Sequence, residues 1–379
     1  MGAWIGEVAG LRTMGRTIAA VLLLGTTALA ARDSQVVRRD WETMSMAQRK
    51  QFTDAVNALK MNKGAIDDEP APSYDDLVLQ HREAYRTPCP WVEHGEEPNI
   101  YHRNGDQKGP AFLPWHRQQL MVLEKALQQV SGDPSLGVPY WNWLKDSSKS
   151  DPAEAPLWSA DEGIGGTGRS SDFVVADGPF AHWPLKYADL GEEYLERNLG
   201  GALAKPGNAA DFAAAFAETT YDEPPYSADS KRGIRNYLEG FHGFANDKRR
   251  GDAPPAEGGG GVHKIQLHAA AHAFVGKSMI NSTSPNDPAF FMVHAFTDAL
   301  WESWQAAQLR RFPDTTVYDH FEPHSGGPPH HNLHDEMVEL GGVTAHDVLD
   351  YQQLPYRYDE LPVPSKLLPA QANATRSAV

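Results

Sequence analysis

The chain has 379 residues, 41% of them apolar and 10% aromatic, which suits one large domain or two ordinary ones and excludes a wholly disordered protein. Thirty-four Lys and Arg stand against 50 Asp and Glu, a formal net charge of -16. That argues against nucleic acid and anionic membranes as partners, because phosphate recognition needs clustered positive charge. A single cysteine, Cys89, rules out an internal disulfide and a sulfur-only metal cluster, and reads as a small buried side chain.

Arg12 and Arg16 precede an apolar run over residues 18–24 and then Ala28-Leu29-Ala30, the pattern of an export signal over residues 1–30. The run is too short to span a bilayer comfortably. A domain over residues 31–362 and a C-terminal tail over 363–379 complete the expected organisation, with secretion to the extracellular side. Residues 41–60 are helical in pattern, with Trp41, Met44, Phe52, Val56 and Leu59 able to share one face. A second helix over 74–85 carries His81, and a third over 110–130 is entered through Pro114 and ends near Gly132. Residues 146–180, rich in Gly, Ser, Asp and Pro, read as loop, and 211–218 as a short helix. Residues 249–261 include four consecutive glycines and read as a flexible insertion. Two more helical patterns cover 262–275 and 287–311, and a Pro/His-rich loop covers 321–334. There is no internal repeat and no convincing interdomain linker. The expected fold is mainly α: a four-helix bundle core with long irregular loops and few short strands.

The histidines carry the chemistry. His268 and His272 lie four apart in an Ala-rich helical run, which puts both imidazoles on one face, one turn apart. His294, near the start of the next helix, would complete a three-nitrogen site with an open position. Neutral imidazoles suit copper, zinc, iron or nickel. Alone, such a pair is as often two ordinary surface residues. His116 falls in the first turn of the helix opened by Pro114, His81 sits mid-helix, and His94 and His102 lie in loop between them. Two histidine groups, each on an aromatic-rich helix pair, point to a binuclear centre. His320, His324, His330, His331 and His334 crowd one polar loop and read as solvated.

Phe-Leu-Pro-Trp-His-Arg at 112–117 resembles the copper A signature of the tyrosinase and polyphenol oxidase family. Ser284-Pro285-Asn286-Asp287-Pro288-Ala289-Phe290-Phe291, with His294 and Asp298, resembles its copper B signature. Tyr74-Asp75-Asp76-Leu77 before His81, Val138-Pro139-Tyr140-Trp141-Asn142-Trp143, and Asp347-Val348-Leu349-Asp350 before Tyr356 and Tyr358 are similar to further landmarks, so the resemblance covers most of the chain. It implies a type-3 centre of two copper ions, each held by three histidines: His268, His272 and His294 at one, His81, His102 and His116 at the other. The family pattern His-Arg-Gly-Pro-Ala-Phe is interrupted here by Asn104 to Lys108, and His102 is preferred over His94 as the middle ligand.

The activity implied is that of a copper-dependent polyphenol oxidase using dioxygen as co-substrate. In the family, monophenol hydroxylation is linked to a water-holding glutamate and a helper Asn after the first copper B histidine. Leu238-Glu239-Gly240-Phe241 resembles the glutamate segment, which makes Glu239 the catalytic candidate, with a solvated helix residue as the alternative. The helper position is Ala269, and an alanine cannot orient water. Oxidation of o-diphenols or o-aminophenols is therefore favoured over tyrosine hydroxylation. Asp298 is expected to pair with Arg117 or orient a ligand, Asp287 to cap a helix, and Phe290 or Phe291 to wall the site. The expected partner is a small phenol, with no nucleic acid or membrane and with room for a copper-loading chaperone. A dioxygen carrier using the same histidines, and a non-catalytic secreted metal binder centred on the His-rich loop, are the competing readings.

Overall fold

A computed structural model describes residues 35–61, 65–66, 69–70, 72–89, 105–241 and 265–363. The expected export signal, His94, His102, the glycine-rich insertion and nearly all of the C-terminal tail lie outside the described residues.

In chain order the elements are β1 (Val36–Arg38), α1 (Met46–Met61), β2 (Ala65–Ile66), β3 (Glu69–Pro70), α2 (Tyr74–Arg86), α3 (Phe112–Ser131) and α4 (Trp143–Asp146). There follow α5 (Ala209–Ala217), α6 (Ile234–Glu239), α7 (Leu267–Val275), α8 (Ala289–Arg311), α9 (Ala345–Leu349) and β4 (Tyr356–Tyr358). The fold is mainly α, as expected; β1 pairs in parallel with β4, and β2 with β3 in an antiparallel pair.

Local chemistry sets the helix limits. Ser73 and Asp76 form a reciprocal capping box at the start of α2. Gly132 ends α3 in the left-handed conformation, at φ 69°. The predicted helix over 41–60 is broken: Asp40 accepts the Glu42 N–H and holds a short 3-10 turn at Trp41–Thr43, and the α-helix begins only at Met46. The predicted loop over 146–180 contains two further 3-10 turns, Pro152–Glu154 and Pro156–Trp158, each opened by a proline.

Helix α8 is the axis of the molecule. Its first seventeen residues, Ala289 to Gln305, are all buried, so neighbours must cover it on every side. Helices α3, α6 and α7 pack against it, and α1 and α2 pack against α3. Five tryptophans, Trp41, Trp115, Trp143, Trp301 and Trp304, are wholly buried in this core.

One buried carboxylate ties the ends of the fold to this axis. Asp298 accepts from Arg117 Nε at 2.6 Å, Tyr356 at 2.5 Å, Tyr358 at 2.7 Å and Arg38 at 3.4 Å. Arg38 also pairs with Glu124 at 3.0 Å. Burying these charges is tolerable because each is met by opposite charge and oriented hydrogen bonds. Among the described residues no helix is long and apolar enough to cross a membrane.

Candidate metal centre

Helix α7 presents His268 and His272 one turn apart, and α8 brings His294 to meet them; one donor atom from each lies within 4.8 Å of the others. His272 Nδ1 is 2.7 Å from the carbonyl of Met279, and His268 Nδ1 is 3.2 Å from that of Glu239. A carbonyl can only accept, so the imidazole N–H sits at Nδ1 and the Nε2 lone pair faces inward. His268 Nε2 and His294 Nε2 stand 3.1 Å apart. His272 Nε2 has no hydrogen-bond partner among the described residues.

The carbonyl on His268 depends on a tight approach. Gly240 closes α6 at φ 101°, and a Cβ there would lie 2.1 Å from the Gln266 carbonyl oxygen and 2.8 Å from Ala269 Cβ. Only glycine fits that backbone and that space.

A second group faces the first. His81, from the middle of α2, holds Nδ1 2.7 Å from the Ser282 carbonyl. His116, in the first turn of α3, directs Nδ1 to the Phe112 carbonyl at 2.8 Å. The Nε2 atoms of both are buried without a hydrogen-bond partner among the described residues. Asp106, from the residues that interrupt the copper A pattern, completes this group: donor atoms of His81, Asp106 and His116 lie within 4.8 Å of one another. Its Oδ2 is 3.3 Å from His81 Nε2. The one signal for it in the sequence was its place inside the interrupted motif.

The two groups share walls. His116 and His294 stack at 3.9 Å between ring centroids, 11° from parallel. Phe290 lies beneath, its centroid 4.2 Å from His294, 4.9 Å from His81, 5.8 Å from His272 and 5.9 Å from His116. Of the two candidate phenylalanines, Phe290 is therefore the wall, and Phe291 packs against Tyr74. Burial dominates the electrostatics: it pushes His81 down to about 3 and His272 to about 4, each partly offset by its backbone hydrogen bond. His116, His268 and His294 are lowered well below the ordinary range, first by burial and then by neighbouring imidazoles. All five are neutral near pH 7, the state in which an imidazole can bind a metal.

Glu239 lies beside this centre and is wholly buried, so the solvated alternative does not apply. Its carboxylate takes Arg235 at 2.9 Å and the Lys108 backbone N–H at 2.5 Å. Burial raises its affinity for a proton and Arg235 opposes that. Arg235 is shared with Asp222 at 2.8 Å. Asp287 both pairs with Arg197, at 2.7 Å, and accepts the Ala289 N–H at 2.9 Å. Asp189 binds the Ser282 hydroxyl and so braces the segment whose carbonyl holds His81.

One sequence expectation is corrected outright. His331 is buried rather than solvated, and its Nδ1 accepts the Ala111 N–H at 3.0 Å. The first amides of a helix have no partner inside it, and His331 satisfies one at the start of α3. His324, His330 and His334 are exposed.

The donors fit a first-row transition metal. Neutral nitrogens converge from rigid helices, their tautomers are set by carbonyls behind them, and several are buried with no hydrogen-bond partner among the described residues.

The family model for the common central domain of tyrosinase matches residues 71–307. A tyrosinase of Streptomyces glaucescens is 33% identical over 319 residues, covering 83% of this chain and 96% of that protein. Grixazone synthase of Streptomyces griseus is 32% identical over 348 residues, covering 86% and 99%. Among solved structures, a polyphenol oxidase from Thermothelomyces thermophila matches with TM-score 0.61 at 21% identity, covering 91% of this chain and 94% of that one.

Proposed function

The chain belongs to the tyrosinase family and is a copper-dependent oxidase, and on that premise we propose that it is a secreted enzyme oxidising o-diphenols and o-aminophenols with dioxygen. The observation that carries this reading is the pair of facing histidine groups, buried and stacked through His116 and His294. In this reading His268, His272 and His294 bind one copper. His81 and His116 bind the other, with His102 as their third histidine. The chemistry that the coppers supply when bound is two-electron oxidation of a catechol, with dioxygen as oxidant.

The protein's own residues do the rest. The carbonyls of Ser282, Phe112, Glu239 and Met279 hold four imidazoles in the tautomer that leaves Nε2 free for metal. Phe290 keeps water out from below. Glu239, clamped by Arg235 and the Lys108 N–H, has its carboxylate oxygens engaged, and Ala269 offers no amide to hold a water against it. Both features favour substrates that already carry a second ortho donor over monophenols.

The test is oxygen uptake by one copper-loaded sample given tyrosine, L-DOPA and o-aminophenol in turn. Fast uptake with L-DOPA and o-aminophenol and slow uptake with tyrosine is expected. Fast tyrosine hydroxylation without added diphenol overturns the substrate preference, and no uptake with any of the three overturns the oxidase reading. Ala269→Asn should raise the tyrosine rate relative to the L-DOPA rate.

A further inference from the structure

The group formed by His81, His116 and Asp106 differs in chemical kind from the all-imidazole group beside it. We propose that Asp106 is itself a metal ligand, giving a carboxylate oxygen to the copper held by His81 and His116. The proposal rests on the type-3 reading above and adds a donor that the resemblance does not supply.

Asp106 is wholly buried, and neither of its carboxylate oxygens has a hydrogen-bond partner among the described residues. A carboxylate in that position is costly unless a cation meets it. Its closest polar neighbour cannot help. His81 Nδ1 points at the Ser282 carbonyl and so carries the proton, which leaves Nε2 a bare lone pair 3.3 Å from Asp106 Oδ2. The His81 lone pair and the Asp106 carboxyl thus face each other in a buried pocket, and a cation between them gives each a bond. Imidazole and carboxylate donors sit about 2.0–2.1 Å from a first-row dication, which in tetrahedral geometry separates them by about 3.3–3.4 Å. The observed separation already matches. Arg235, a buried cation nearby, is committed to Glu239 and Asp222, and Lys108 attracts Asp106 without a hydrogen bond to it.

Asp106 lies within Asn104 to Lys108, the five residues that interrupt the His-Arg-Gly-Pro-Ala-Phe pattern. Lys108, at the end of the same interruption, donates its N–H to Glu239, so one insertion touches both the metal group and the carboxylate beside it. An anionic oxygen donor is harder than imidazole and favours the divalent over the monovalent ion. The two coppers are then inequivalent, the one beside Asp106 being the harder to reduce.

The experiment uses the full chain, its Asp106→Asn and Asp106→Ala variants, and copper(II) sulfate. Bound copper is measured by mass spectrometry after dialysis against graded chelator, and thermal unfolding is followed without metal. Wild type should retain two coppers. Each variant should retain one at chelator levels where wild type keeps both, the weakened site losing roughly tenfold to hundredfold or more in affinity. Metal-free Asp106→Asn should unfold at a higher temperature than metal-free wild type, since the unpartnered carboxylate is gone. Two coppers held by both variants with wild-type affinity overturn the proposal. Fewer than two in wild type would instead overturn the type-3 reading on which it rests.

Discussion

His268, His272 and His294 come from two adjacent helices, and a nine-residue helix fixes two of them by its repeat alone. His81, Asp106 and His116 come from three separate segments: mid-α2, the loop before α3, and the first turn of α3. In the first group, helix geometry sets the donor spacing. In the second it is set by tertiary packing, through the Ser282 carbonyl on His81 and the His331 contact at the head of α3. A donor pair written into one helix tolerates change around it. One assembled from distant segments can accept an insertion that alters its chemistry.

The largest expected effect tests whether the groups bind metal separately. His294→Ala should abolish catechol-dependent oxygen uptake and cut bound copper from two to one. Retention of both coppers would show that His294 is not a donor. Phe290→Ala should break the distinction, because this ring touches histidines of both groups. Removing a buried phenylalanine costs about 3–5 kcal/mol, and copper should be lost from both positions. Thermal unfolding and copper content measure the two parts, and loss from one group alone would argue against a shared wall.

Gly240→Ala should act on one side only. The new Cβ has no room and the backbone lies at φ 101°, so about 1–3 kcal/mol of stability should go. With it goes the Glu239 carbonyl that orients His268, while copper at the His81–His116 side should persist. The smallest effect is a pH dependence of the metal-free protein. The unfolded chain protonates histidine below 6.5, whereas folded His81 refuses a proton until about 3 and folded His272 until about 4. Both shifts are downward, so their stabilisation is present above pH 6.5 and is lost as the pH falls toward the folded values. His81→Gln should flatten the melting temperature over that range more than His272→Gln does.

The same contrast explains what could be read from the sequence. The i, i+4 pair, the Pro-led start of α3 and the left-handed Gly132 are local signals, and the structure carries all three. The pairing of Asp298 with Arg117 could be named because both sit at fixed offsets from histidines. Asp106 could not, since nothing local says that a loop carboxylate will be buried against an imidazole 25 residues away. His331 failed for the converse reason: its loop is polar on average, but one of its side chains folds under the protein to meet a helix end. The break at Met44 leaves no mark in the sequence because the apolar spacing of residues 41–60 continues across it.

The parallel pairing of β1 with β4 bears on the order in which this protein is made. Chains emerge from the ribosome N-terminus first, and domains generally fold as units. Asp298, one turn past His294, receives Tyr356 and Tyr358 only when the last few described residues have been synthesised. A polypeptide that stops short of Tyr356 carries all the histidines and still lacks the two phenols that brace the carboxylate one turn past His294.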